Sequence, residues 1–303
     1  MPASMDRSRG RPRVVEGELL TLSDYVTDSY CIYPDWRLHY VPRMKRNYEG
    51  DPMSSTIDIH GEPKQVLVLA SNPAVSERTG WPIGFWWAEL THPYWEFVEA
   101  GYDVTIASPD GGDLQADSFS DPSDASGYSA DDLISRGFIA SPTHAALVRN
   151  TPSIADLSLD GDDLGGFDAV FLVGGQAPMY TFRQDQRVKD LIGRFIAAGK
   201  IAAVVCHATC VLLDATLPSG EMVVEGRTWT GFANSEEDVA DAFVGQQIQP
   251  FRIEDEARAL TGSNFVVHGA FRAHAVRDGN LVTGQQQHSG AAAARLVIDA
   301  LGR

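Results

Sequence analysis

Residues 200–215 read "KIAAVVCHATCVLLDA", and this stretch decides the fold. Five apolar residues, 201–205, run without interruption into Cys206, and His207 follows at once. A short continuous apolar run next to a turn former, here Gly199, is the pattern of a buried strand. The second apolar run, 208–213, has helical spacing and predicts a helix after the cysteine. A buried strand passing into a helix at a reactive side chain suits an open α/β sheet, where ligands bind outside the carboxyl ends of the strands.

The chain around this join repeats the pattern. "QVLVLAS" (65–71) and "FDAVFLVGG" (167–175) are further buried strands. "YWEFVEAGYDVTIASPDG" (94–111) reads as a helix starting near Pro93, a stop at Gly101 and then a strand. "QRVKDLIGRFIAAGK" (186–200) is an amphipathic helix with Val188, Leu191, Ile192, Phe195 and Ile196 on one face. "RAHAVRDGNLVTG" (272–284) is a hairpin with an Asp-Gly turn, and "SGAAAARLVIDAL" (289–301) a closing helix. "EMVVEGRTWTGF" (221–232) has the look of another hairpin, and "SADDLISRGF" and "FRIEDEARAL" of short helices. In "NSEEDVADAF" (234–243) Asn234 reads as a helix cap with Glu237 three residues on. Apolar strands alternating with helices imply a parallel sheet covered on both faces.

Three parts are expected. Residues 1–13 are a basic tail without the apolar core of a secretory signal. Residues 14–62 carry Tyr25, Tyr30, Tyr33, Trp36, Tyr40 and Tyr48, too many rings for a linker. They predict an extension that docks on the main domain or on a neighbouring subunit. Residues 63–303 form the α/β domain. Within it, residues 110–163 hold eleven aspartates and no lysine or glutamate, which reads as solvated loop.

Composition narrows the function classes. The 303-residue chain has a net charge of −17. That argues against nucleic acid, whose affinity comes mainly from lysine and arginine on phosphates. No window is apolar for long enough to span a membrane. Cys31, Cys206 and Cys210 form neither a disulfide framework nor a zinc pattern, so a reducing, cytoplasmic setting is expected.

The candidate site grows from Cys206. A tight turn lifts its side chain from the backbone, as in a nucleophile elbow. The N–H groups of a following helix favour thiolate, so a thiol pKa below the usual ~8.5 is expected. His207 can share the pocket. Glu236, Glu237 or Asp238, thirty residues on, can orient the imidazole. Gly174 and Gly175 end another strand and offer unhindered N–H groups to an oxyanion. Glu89, in "GFWWAELTHP", is a carboxyl among tryptophans, where desolvation raises its pKa. Trp81, Trp86 and Trp87 can wall the pocket, and the loop Gln285–His288 can line it. Glu89, His92 and Glu96 have a spacing that a helix could turn toward a metal, but Pro93 interrupts it and no metal is expected.

"GFWWAELTHPYWEF", "DAVFLVGGQAPMY", "AAVVCHATCVLL", "TWTGFANSEEDVADAF" and "GNLVTGQQQHSGAAA" together resemble the ThiJ/PfpI superfamily. The resemblance covers residues 64 to the end. It is closest to the heat-shock chaperone and glutathione-independent glyoxalase branch. It implies a flavodoxin-like parallel sheet sandwiched by helices, with a strand-to-helix nucleophile elbow. It also implies roles. Cys206 matches the nucleophile, His207 the adjacent histidine, Glu237 the triad acid (Glu236 or Asp238 if the register slips) and Glu89 the carboxyl that contacts the cysteine. The N–H groups of Gly175 and His207 match the oxyanion hole, and Gln176, Trp86, Trp87 and Gln285 are pocket candidates. Members convert methylglyoxal to lactate without an added cofactor, and several act as holding chaperones under stress.

This chain departs from the branch at Gln176-Ala177, where His-Gly is usual, and at Ala208-Thr209, where Gly-Pro is usual. Glycine relaxes an elbow that Ala208 crowds. The expectation is a cofactor-independent cysteine enzyme whose partner is a small-molecule substrate, working as a homodimer on a small electrophilic carbonyl. The alternatives are a hydratase, isomerase or amide hydrolase acting on a bulkier metabolite, and a stress-related holding chaperone.

Overall fold

The computed structural model describes residues 29–32, 38–41, 62–159, 161 and 163–302. The chain divides into two compact units, Met1–Ile59 and His60–Arg303. In the first, Ser29–Ile32 pairs antiparallel with Leu38–Val41. The basic tail expected over 1–13, and the docking expected of the aromatic side chains of 14–62, lie outside the described residues.

The second unit is built on a six-stranded sheet. Its strands are β1 (Gln65–Leu69), β2 (Asp103–Ala107), β3 (Ala169–Leu172), β4 (Ile201–Val205), β5 (Ala275–Asp278) and β6 (Leu281–Gly284). Their order is β5-β6-β4-β3-β1-β2. All neighbours are parallel except the edge pair β5 and β6. That pair is the hairpin the Asp-Gly turn predicts, with Asp278 opposite Leu281.

The central strands are apolar because both faces are covered. Leu67 and Leu69 face a core shared with the helix α2 (Gln186–Ala197), while Val66 and Val68 face the opposite core. The second core takes its cover from α1 (Trp87–Glu99) and α4 (Gly290–Leu301). Between α2 and α4 in the chain lies α3 (Asn234–Val244).

Three local readings are corrected. The helix expected to start near Pro93 begins at Trp87, and Pro93 lies inside it, buried. A Cβ at Gly290 would come within 3.1 Å of the Pro93 ring, so this close packing of α1 on α4 accommodates the proline. The early start places Glu89 in the first turn. The segment 221–232 is not a hairpin. Its Thr228–Trp229 pairs in parallel with Asn264–Phe265 instead. The apolar run after Cys206 is a 3-10 helix, Cys206–Leu213, rather than an α-helix, and all eight residues are buried.

Candidate active site

The strands β3 and β4 end side by side, with Leu172 opposite Val204. Two residues past β3 comes Gly174, and one past β4 comes Cys206. Cys206 has a φ of +56°, a conformation that costs an ordinary L-residue energy and is found at functional turns. The strain expected at Ala208 therefore sits on the cysteine itself, since Ala208 is not among the residues with positive φ.

Cys206 is 3% exposed, and its Sγ lies 3.6 Å from His207 Nδ1. On the other side of the ring, His207 Nε2 lies 3.0 Å from Glu237 Oε1. An ionised carboxylate can only accept, so Nε2 carries the proton and the Nδ1 lone pair faces the sulfur. Phe232 stacks on the imidazole at 4.0 Å between centroids. Burial alone would lower the His207 pKa, but the Glu237 carboxylate, aided by Glu89 and Asp117, raises it overall.

The three acids that the sequence leaves open have separate partners. Glu237 takes His207. Glu236 Oε2 accepts from the Ala233 N–H at 2.9 Å and its Oε1 from Phe271 N and Gln285 Nε2, both at 2.9 Å. Asp238 pairs with Arg252 at 2.6 Å. The helix cap is thus Ala233 rather than Asn234. This shift of one residue gives the back-reaching role to Glu236 and leaves Glu237 to face the histidine.

Glu89 is fully buried. Its Oε2 accepts from the Gly174 N–H at 2.8 Å, while Oε1 has no hydrogen-bond partner of ordinary geometry among the described residues. Burial pushes its pKa up to about 8, against the opposing pull of Cys206, His207 and the Gly174 N–H. Burial also raises the Cys206 thiol well above its usual range, and the Glu89 charge adds to this. The N–H groups of His207 and Gly175 act the other way. The expected acidic thiol is therefore overturned at rest. A short, wholly buried 3-10 helix and a neighbouring carboxyl replace the open helix N-terminus that the sequence suggested.

Both glycines of this turn are required by space. A Cβ at Gly174 would lie 2.4 Å from Glu89 Oε2 and 2.8 Å from Cys206 Cβ. Gly175 has a φ of +111°, and its Cβ would lie 2.6 Å from the Gly84 carbonyl oxygen and from the Phe85 carbonyl carbon.

Asp117 is a site neighbour that sequence reading misses. It lies 1% exposed in the acidic stretch read as solvated loop. Its Oδ1 accepts from the Gly84 N–H at 2.9 Å and its Oδ2 from the Gln176 N–H at 2.7 Å. It thereby ties the loop after β3 to the segment that leads into α1. Burial pushes its pKa up to about 7, outweighing these two bonds and the attraction of His207.

Above the sulfur lies an apolar pocket of about 150 Å³. Cys206, His207 and Glu237 line it, as do the expected Trp81, Trp86 and Gln176. Trp87 does not. It packs edge-on against Phe85 at 4.8 Å and near Phe138. Gln285 is also displaced from the role expected of it. It is fully buried and bridges Glu236 to the His268 backbone. Gln287, two residues on, lines the pocket instead and bonds the Tyr128 hydroxyl at 3.1 Å. Phe119 and Tyr128 also come from the acidic stretch. Aromatic rings set among so many aspartates were the available signal that it packs on something.

Glu89, His92 and Glu96 diverge. His92 pairs with Asp132 at 2.9 Å and Glu96 with Arg295. Among the described residues no three His, Cys, Asp or Glu are grouped to hold a metal, and no helix is long and apolar enough to cross a membrane.

Comparison with known proteins agrees with this architecture. The sequence profile of the DJ-1/PfpI family matches residues 84–300. A glutathione-independent glyoxalase of Schizosaccharomyces pombe is 25% identical over 193 residues, 58% of this chain and 70% of that protein. Two solved structures share the fold. Glyoxalase III of Candida albicans superposes with a TM-score of 0.63 at 23% identity, over 78% of this chain and 97% of that one. The Francisella tularensis Rapid Encystment Protein of 24 kDa does so with a TM-score of 0.68 at 21% identity, over 79% and 100%.

Proposed function

Since the chain belongs to the DJ-1/PfpI family, we propose that it is a cysteine-dependent enzyme of the glyoxalase type. It converts a 2-oxoaldehyde and water into a 2-hydroxy acid, with no glutathione. The observation that carries this reading is the relay Cys206 Sγ, His207, Glu237, with contacts of 3.6 and 3.0 Å, beside a carboxyl whose pKa is about 8. The similarity to a protein named glutathione-independent glyoxalase supports it.

The reaction begins at the sulfur. Cys206 Sγ adds to the aldehyde carbon as its thiol proton passes to His207 Nδ1. The raised pKa of His207 suits it to take that proton, and Glu237 stabilises the imidazolium. The imidazolium then protonates the former aldehyde oxygen, which gives a neutral hemithioacetal. Glu89 as carboxylate next removes the hydrogen from the former aldehyde carbon, and the electron pair forms an enediolate. A group with a pKa near the working pH serves both halves of such a transfer.

The N–H of Gly175 steadies the enediolate oxygen. Returning the proton to the adjacent carbon reduces that carbon by two electrons and oxidises the first to a thioester. No outside oxidant is needed. Water then attacks the thioester, the C–S bond breaks, the thiol is restored and the hydroxy acid leaves.

The test is direct. Purified protein given methylglyoxal without glutathione forms lactate, and Cys206→Ala abolishes it. Lactate formation that survives this substitution would sink the mechanism.

A further inference from the structure

The pocket over Cys206 is walled by rings. Trp86 and Tyr128 meet edge-on at 5.9 Å, and Phe119 meets Tyr128 at 6.3 Å and Phe243 at 6.0 Å. At the mouth Phe243 is 69% exposed, an unusual exposure for phenylalanine. This much aromatic surface around one reactive atom exceeds what a substituent of methyl size can cover.

The polar groups that line the pocket away from the relay are neutral. They are the Gln176, Gln249 and Gln287 amides and the Tyr128 hydroxyl. No lysine or arginine lines it among the described residues. The ionisable groups deeper in are acids, since Glu89, Asp117 and Glu237 all surround His207. A substrate carrying a carboxylate or phosphate would find no lysine or arginine there to pair it, and burying an unpaired charge is costly.

We infer that the preferred substrate is an uncharged dicarbonyl compound that bears an aromatic or similarly bulky apolar group on the carbon next to the one Cys206 attacks, held by the Trp86, Phe119 and Phe243 rings. This rests on the reading of Cys206 as the nucleophile and names the substrate class for it. The substituent fills the ring-lined pocket and displaces water there, while the carbonyl lies on the sulfur. An added apolar contact of one or two carbons gives about tenfold in kcat/KM, and a whole ring gives more.

Two measurements test it separately from the proposed reaction. In the first, initial rates are compared for methylglyoxal, phenylglyoxal and 4-carboxyphenylglyoxal. The expected kcat/KM for phenylglyoxal exceeds that for methylglyoxal by at least about tenfold, the carboxylated compound falls well below phenylglyoxal, and Phe243→Ala shrinks the phenylglyoxal advantage. Equal rates for methylglyoxal and phenylglyoxal, or no penalty for the carboxylate, would overturn the inference while leaving the glyoxalase reading intact.

In the second, Cys206→Ser protein is titrated calorimetrically with 2-hydroxyacetophenone and with hydroxyacetone, neutral analogues that lack the aldehyde. Binding of the aromatic analogue at least about tenfold tighter supports the inference even if no oxoaldehyde is turned over. Equal binding of the two overturns it.

Discussion

His207 Nε2 and Glu237 Oε1 lie 3.0 Å apart although thirty residues separate them. Both are buried, and the carboxylate fixes the proton on the far nitrogen of the ring. That leaves Nδ1 unprotonated beside the sulfur at 3.6 Å. The bond therefore does two things at once, selecting the tautomer and raising the pKa of the ring.

Replacing Glu237 by Gln separates these effects from simple packing. The amide can donate to Nε2, which moves the ring proton to Nδ1 and removes the acceptor that faces Cys206. In its proposed role, turnover is expected to fall on the order of 10²–10⁴-fold. The His207 pKa is expected to fall as well, which a pH-dependent NMR titration of the ring would read. Stability follows the sign of the shift. A raised histidine pKa contributes most below the unfolded value of about 6.5 and is lost as pH rises through the folded value. The gap in Tm between wild type and variant should therefore be widest at low pH and narrow on the alkaline side. A gap that is constant with pH would mean that Glu237 acts by packing alone.

Glu89→Gln should trade activity for stability. Gln keeps an oxygen for the Gly174 N–H, and Glu89 Oε1 has no ordinary hydrogen bond to lose. What disappears is a buried charge. The folded pKa is raised from 4.5 to about 8, so the folded protein holds this proton more tightly than the unfolded chain. Wild-type stability falls as pH rises between those values, and the variant escapes the loss. At pH 8 the variant is expected to be the more stable by on the order of 2–4 kcal/mol, with the difference gone near pH 4.5. Urea denaturation at several pH values measures it. The same change removes the anion beside Cys206, so the midpoint of its alkylation by iodoacetamide should drop. Rate should fall on the order of 10²-fold or more, because the proposed proton shuttle is gone.

The legible part of this molecule was its strands and the residues directly at their ends. Apolar runs such as Ile201–Val205 have one stable use in a chain of this length, burial on both faces. Cys206, His207, Glu89 and Gly175 were readable because each sits within a few residues of such an element. Asp117, Phe119 and Tyr128 were not. Their neighbours are charged, and only the tertiary packing of the loop over the site decides that three of them turn inward. Gln285 and Gln287 show the limit at single-residue scale. Both lie in the loop that reads as able to line the pocket, and only the path of that loop decides that Gln285 serves Glu236 while Gln287 faces the pocket.

Gly175→Ala probes the turn that carries the second N–H of the proposed oxyanion hole. Two independent penalties act there. The φ of +111° lies where an L-residue is strained, and the added Cβ would press on the Gly84 and Phe85 backbone at 2.6 Å. Backbone cannot swing aside as a flexible side chain does, so the loop itself must move. Gly84 has no slack, because its own Cβ position would lie 1.7 Å from the Gln115 carbonyl oxygen and its N–H is held by Asp117. The combined cost is expected at about 3 kcal/mol or more, in the range of severe core substitutions, and would appear as a lowered urea midpoint with an unchanged slope. At low temperature, where the variant is still folded, the displaced N–H no longer faces the sulfur. Turnover should then fall by about 10²–10³-fold, the usual loss for one oxyanion donor, with a smaller change in KM. If the folded variant instead keeps the full rate, the Gly175 N–H has no part in stabilising the reacting oxygen, and His207 N–H alone must supply it.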